Sequence, residues 1–266
     1  MKPLAEFPLD ARRAIKGVLC DIDDTLSTEG RITAEAYSAM QRLQQAGLLV
    51  IPVTGRPAGW CDHIARMWPV DGVVGENGAF YFRYDSAAHK MRRHFVHDTA
   101  ARADNRARLT QIGREIIASI PGAAVAADQH YRETDLAIDF CEDVTPLPQA
   151  SIDEIMLRME KHGLTAKVSS IHVNGWFGAY DKLSMTKTLM REAFAVDLDA
   201  AREAYVFVGD SPNDAPMFGY FPHAVGVANI QDFGDRVEHL PAYVCQNRCG
   251  AGFAEVAAVL LAAHRT

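Results

Sequence analysis

The sequence predicts an α/β protein in which helices cover a parallel sheet and a smaller α+β module is inserted into that sheet's chain path. Three observations predict it. Short apolar, β-rich runs alternate with longer helical stretches, the pattern of strands joined by crossover helices. The first such run, Ile15–Ile22, is apolar at nearly every position, as a strand buried on both faces must be. The texture then changes over roughly 86–176, and the original pattern resumes afterwards.

Taken in order, the first strand stops at a cluster of acids, Asp21-Ile22-Asp23-Asp24-Thr25. A helix follows from Thr33, which can cap it with Glu29 and Glu35 nearby, through Ala36, Met40 and Leu43 to Gly47. The second strand, Leu48–Val53, ends in Thr54-Gly55-Arg56-Pro57. A helix over about Trp60–Met67 leads to a third strand at Gly72–Val74. Glu76-Asn77-Gly78 then carries an Asn-Gly turn signal, so Ala79–Tyr84 is expected to pair back as a hairpin.

The inserted segment opens on a basic stretch (Lys90, Arg92, Arg93) and continues as a helix from about Ala101 to Ile120, with Leu109, Ile112, Ile116 and Ile120 on one face. Strands are expected at Ala123–Ala127, Leu136–Cys141 and Lys167–Val173. A second helix, about Ser151–His162, turns Ile152, Ile155, Met156 and Met159 inward. After it come a helix from Asp181 to Phe194, strands at Ala204–Val208, Ala224–Val227 and Tyr243–Cys245, and a last helix, Phe253–His264. The expected division is residues 1–85 and 177–266 for the large domain and 86–176 for the insertion.

Composition narrows the function. The chain has 266 residues, 48% apolar and 23% charged, ordinary for a globular protein. A net charge of −7 argues against nucleic acid, whose phosphates require a basic footprint. A small phosphorylated ligand needs only one local cationic pocket. No apolar run reaches the ~18–20 residues that span a bilayer, the first residues lack a signal-peptide h-region, and reduced thiols in a cytoplasm are the plain reading of the cysteines. The five cysteines are scattered and odd in number, and Cys20 and Cys61 read as buried small hydrophobes. The ten histidines show no zinc-protease spacing.

Three strands of the large sheet end in polar clusters, the third being Gly209-Asp210-Ser211-Pro212-Asn213-Asp214. Ligands of open parallel sheets bind at the carboxyl ends of strands, so the three clusters point to one site. Carboxylates drawn together there repel unless a cation lies between them. Asp and Asn oxygens suit Mg²⁺, which leaves one carboxylate ionised as a nucleophile. Thr54 can donate to a phosphoryl oxygen, and a lysine is needed against transition-state charge. Lys182, opening a helix, is the best candidate, and Lys187 on the same helix is its rival.

The set Asp21-Ile22-Asp23-Asp24-Thr25-Leu26, Thr54-Gly55-Arg56, Tyr180-Asp181-Lys182 and Gly209 to Asp214 resembles the four ordered motifs of haloacid dehalogenase superfamily phosphohydrolases. The insertion between the second and third motifs, with the segment Asp71–Phe82, resembles the IIB-like subclass, which carries an α/β cap there. The resemblance implies a Rossmann-like hydrolase core and a cap that closes on small phosphorylated metabolites such as sugar phosphates. It implies that Asp21 attacks phosphorus and Asp23 acts as general acid and base. Thr54, Gly55, Lys182 and Asn213 would hold the phosphoryl group or its loop. Asp21, the Asp23 carbonyl, Asp210 and Asp214 would serve Mg²⁺. Asp24 departs from the usual glycine and receives no role.

Beyond the motifs, Arg56 is either a substrate contact or structural, and Glu76 and Asn77 either line the substrate entrance or only form the turn. His172 and Asn174 flank Val173 and share a face, turned either to the cleft or to solvent. Arg132 and Trp176 read more readily as structure than as sugar contacts. The expected activity is Mg²⁺-dependent hydrolysis of a small phosphomonoester, of a sugar or polyol, through an aspartyl-phosphate on Asp21. The alternatives are a phosphosugar mutase and, from another class, a non-catalytic binding module. The oligomeric state is left open.

Overall fold

The computed structural model describes residues 1–264, the side chain of Asp235 apart. The chain runs through β1 (Lys2–Pro3), α1 (Leu9–Ala14), β2 (Gly17–Cys20), the small hairpin β3 (Ser27–Thr28) and β4 (Arg31–Ile32), α2 (Ala34–Gln45) and β5 (Leu49–Pro52). Then come α3 (Ala58–Met67), β6 (Val73–Gly75), β7 (Phe80–Asp85) and β8 (Lys90–Phe95). The inserted part holds α4 (Thr99–Ser119), β9 (Ala124–Val125), β10 (Asp135–Asp139), α5 (Gln149–Lys161), β11 (Thr165–Val168) and β12 (His172–Trp176). The return path is α6 (Lys182–Phe194), α7 (Leu198–Ala201), β13 (Tyr205–Gly209), α8 (Ala215–Tyr220), β14 (Val225–Gly226), β15 (Tyr243–Val244) and α9 (Cys249–His264).

The large sheet has the order β1-β15-β14-β13-β2-β5, with every neighbouring pair parallel. From β2 the chain moves outward to β5, and from β13 it moves outward on the other side to β14. The order therefore reverses between β2 and β13, which is where an open parallel sheet leaves a crevice for ligands. Alternation along these strands feeds two apolar layers. Val18, Cys20, Val206 and Val208 pack beneath α2, α3 and α9, while Leu19, Ile51, Tyr205 and Phe207 pack beneath α6 and α8.

Local signals act as the sequence suggests at several ends. The Thr33 hydroxyl caps α2 by accepting from the Ala36 amide at 3.2 Å, and Gly47 closes that helix at φ 83°. At α6, the Asp181 carboxylate accepts from the Ser184 amide while the Asp181 amide donates to the Ser184 hydroxyl, a capping box that fixes where Lys182 starts.

Two expectations change. The basic stretch 90–95 is strand β8, paired with β7 along its whole length, and Phe95 packs on Phe80 and Phe82. That pairing carries the three-stranded sheet β6-β7-β8 on past Asp85 to Phe95. The expected strand Lys167–Val173 is two strands, β11 and β12, joined by a reversal at Ser169–Ile171. The Ser169 hydroxyl accepts from the amides of Ile171 and His172, so a serine side chain makes the turn that interrupts the run.

The inserted sheet, in the order β11-β12-β10-β9, covers α4 and α5 with one face. Leu136, Ile138 and Val173 meet Leu109, Ile112, Ile116, Ile152 and Ile155 there. By the two-residue period, Asp135 and Asp139 of β10 and His172, Asn174 and Trp176 of β12 take the opposite face, and all five are buried. No helix among the described residues is long and apolar enough to cross a membrane.

Candidate active site

Asp21 and Asp210 follow directly on the ends of β2 and β13, and the Asp21 amide donates to the Val208 carbonyl at 2.9 Å, locking the two strand ends together. Gly209 is needed at this junction, because a Cβ there would lie 2.4 Å from Asp214 Oδ2. Carboxylate oxygens of Asp21, Asp210 and Asp214 lie within 4.8 Å of one another, all three side chains being buried. Lys182, 4% exposed, places Nζ 2.8 Å from Asp21 Oδ1 and 2.7 Å from Asp214 Oδ1. Its rival Lys187 is spent on Asp199 at the surface.

Asp210 receives the Thr25 hydroxyl at Oδ1 and the Asn229 amide at Oδ2, both at 3.3 Å, while Asp214 Oδ2 accepts from the Asp210 amide at 3.1 Å. Burial raises the Asp210 carboxyl well above its ordinary range; Asp21, Asp214 and Asp24 raise it further, and Lys182 opposes them. Burial likewise raises Asp21, opposed chiefly by Lys182. One ammonium thus stands among three buried carboxylates and bonds to two of them. Clustered hard oxygens with a deficit of positive charge fit a divalent cation such as Mg²⁺, for which Asp21, Asp210 and Asp214 would supply oxygens.

Thr54, at the end of the second strand of this group, is fully buried, and its hydroxyl accepts the Arg56 amide at 3.0 Å, leaving its own proton to donate. Gly55 turns beside the Asn77 side chain and gives its carbonyl to Arg132 at 2.9 Å. Asp23 does not join the acid cluster. Its carboxylate is held by Arg56, through Nε at 2.9 and 3.0 Å and through Nη2 at 2.8 Å. The same Nη2 reaches Glu142 Oε1 of the insertion at 2.8 Å, and Arg56 Nη1 lies 3.5 Å from Asp128. Asn213 accepts the Ser211 hydroxyl at 2.7 Å, and both line a tight crevice with Asp21, Asp23, Gly55 and Asn174.

For the residues left open by sequence, the structure divides them. Arg56, His172 and Asn174 face the crevice. His172 Nε2 lies 2.9 Å from Glu142 Oε2, close enough for an ion pair though not aligned as a hydrogen bond. Asn174 donates to Asp135 at 3.0 Å. Glu76 and Asn77 are buried and are not among the residues lining that crevice. Both adopt left-handed backbone, at φ 43° and 55°. The buried Glu76 carboxylate accepts from the amides of Ala58, Glu133 and Thr134 and from the Thr134 hydroxyl, tying α3 to the insertion. Arg132 is paired with Asp128 and Asp135, and Trp176 is buried with its indole donating to the Tyr180 carbonyl, so both are structural supports.

Glu142 and Asn229 were missed by sequence reasoning. Asn229 carried a usable signal, since it follows the strand at β14 and so sits at a fourth strand end beside the three clusters. Glu142 had none: it lies past the end of β10 in a stretch without periodicity.

Comparison with known proteins follows the same lines. The family model for haloacid dehalogenase-like hydrolases matches residues 18–109. No curated protein sequence matches the chain significantly. Among solved structures, a protein of Thermoplasma acidophilum superposes with a TM-score of 0.69 at 18% identity, covering 92% of this chain and 98% of that one. The C-terminal domain of C. albicans trehalose-6-phosphate phosphatase gives 0.70 at 14% identity, covering 98% of both chains. The Synechocystis sucrose-phosphatase, solved with sucrose and phosphate, gives 0.63 at 15% identity over 92% of this chain and 98% of that one. At these identities the likeness is one of fold.

Proposed function

From the premise that the chain belongs to the haloacid dehalogenase-like hydrolases, we propose that it hydrolyses a small phosphomonoester, of a sugar or polyol, by transfer of the phosphoryl group to Asp21. The single observation that carries this reading is the buried ammonium of Lys182 shared between Asp21 and Asp214, with Asp210 beside them. It supports an anionic substrate group, whose charge one ammonium beside an oriented carboxylate would offset. Sugar-phosphate phosphatases among the structural neighbours support the substrate class.

In this reading Asp21 attacks phosphorus in line, forming an acyl phosphate, while the bond to the leaving alkoxide breaks. Asp23 gives its proton to that oxygen, then takes one from the water that cleaves the acyl phosphate. The Thr54 hydroxyl and Lys182 Nζ hold phosphoryl oxygens and offset charge as it develops. Bound Mg²⁺ would screen phosphate from the acids and keep Asp21 ionised. The test is Asp21→Asn: Mg²⁺-dependent phosphate release should vanish while the circular dichroism spectrum is kept. Full turnover in that variant, or in excess chelator, rejects the mechanism.

A further inference from the structure

Two spaces border Asp23, and they differ in size. On one side is the crevice toward Asp21 and the insertion, which has about 10 Å³, no more than a single water needs. On the other is a groove of about 610 Å³ that Asp23 and Arg56 also line. Its walls are Trp60, Ile64 and Trp68, from α3 and its end, Ile32 of the small hairpin, and Tyr131 of the insertion. Trp60 and Tyr131 are 41% and 51% exposed, and the Arg56 guanidinium lies 4.5 Å from the centre of the Trp60 ring.

Resting on the phosphatase reading above, we propose that this groove holds the leaving alcohol, and that it selects a ring with a flat apolar face over an open-chain polyol. In-line attack by Asp21 puts the departing oxygen on the far side of phosphorus, where the proposed acid Asp23 must meet it. What that oxygen carries must fill space next to Asp23, and the groove has room for it. Its walls are aromatic and aliphatic; Asp23 and Arg56 at one end are already paired with each other, and the other polar side chains at hand are Ser27, His63 and the Tyr131 hydroxyl. An open chain lying there would bury hydroxyls against carbon and lose their hydrogen bonds to water. A ring lays its C–H face on Trp60 or Tyr131 and keeps its hydroxyls at the edge, toward solvent.

Glucose 6-phosphate and sorbitol 6-phosphate make a matched pair, and phenyl phosphate is a ring without hydroxyls. With full-length protein and Mg²⁺, both ring esters should exceed the open-chain ester in kcat/KM by about tenfold. In Trp60→Ala, and again in Tyr131→Ala, that ratio should fall to about one, through KM. Glucose 6-phosphate ahead of phenyl phosphate assigns the groove to a sugar, and the reverse order to an aryl alcohol. Equal use of ring and open-chain esters by the native protein overturns the proposal, as does a ratio that survives both substitutions. If no ester releases phosphate, the phosphatase reading falls by itself. The ring preference is then read from tryptophan fluorescence. Saturable quenching by phenylphosphonate but not methylphosphonate, lost in Trp60→Ala, upholds it, and no such quenching overturns it.

Discussion

Arg56 grips both carboxylate oxygens of Asp23, with Nε at 2.9 and 3.0 Å and Nη2 at 2.8 Å, and so fixes the plane of the proposed general acid. The fork geometry of a guanidinium does this while leaving Nη2 in reach of Glu142, which a lysine ammonium cannot do. Arg56→Lys should therefore lower kcat/KM by about 10–100-fold, with most of the loss in kcat, since a misplaced acid slows bond cleavage more than binding. Steady-state phosphate release measures it. Full kcat in Arg56→Lys would mean that Asp23 is oriented by something else.

The clustered acids make a prediction about metal and stability together. Burial and the neighbouring Asp21 and Asp214 make an ionised Asp210 unfavourable in the empty site. Asp210→Asn should relieve ~1–2 kcal/mol of this and raise the melting temperature in chelator by about 2–8 °C. Native protein at a hundredfold excess of Mg²⁺ over its Kd should gain about 2.7 kcal/mol, or about 5–10 °C, while Asp210→Asn gains almost nothing. Differential scanning with and without Mg²⁺ separates the two effects. An equal Mg²⁺ shift in both proteins would remove Asp210 from the metal site.

Those acids were legible because each follows a strand whose apolar run marks its own end, and a parallel sheet gathers such ends. Lys182 was separable from Lys187 only in three dimensions, where one is enclosed by two carboxylates and the other meets Asp199 at the surface. The polar face of the inserted sheet was half legible. Alternation put His172 and Asn174 on one side, but it could not say that the large domain lies against that side. Glu76 shows the other limit. The Asn-Gly signal located its turn, yet three of its four hydrogen bonds come from Glu133 and Thr134, far along the chain, where no local pattern records them.

Glu142 links the insertion to the large domain in a pH-dependent way. Burial pushes its carboxyl up, but His172 and Arg56 more than offset this and bring it from 4.5 down to about 2. Asp139 faces it as well, accepting the Glu142 amide at 2.8 Å. A carboxyl lowered in the folded state stabilises fully above its unfolded value and loses that contribution as pH falls toward its folded value. The native protein should thus exceed Glu142→Gln in urea midpoint at pH 7, with the gap closing between about 4.5 and about 2. Partial exposure keeps the effect modest. A gap that does not change with pH would show that the Glu142 charge has no part in it.

Gly78 lets its turn pack directly against the start of α6, the helix that opens with Lys182. At φ 104° it occupies a conformation that side chains resist, and a Cβ there would sit 1.9 Å from the Asp181 carbonyl oxygen and 2.9 Å from the Lys182 amide. No flexible side chain is present to give way, so Gly78→Ala must push the start of α6 off the turn. Strain and displacement together should cost about 3 kcal/mol or more. A shift of about 1 Å at Lys182 should lower kcat on the order of a hundredfold. Gly163→Ala is the matched control: φ is 79°, and nothing lies within 4 Å of the added carbon. It should cost about 1–2 kcal/mol, by strain alone, and leave kcat intact. Urea melts and steady-state kinetics on both variants test the difference. If Gly78→Ala loses stability without losing kcat, the turn supports the fold but does not place the lysine.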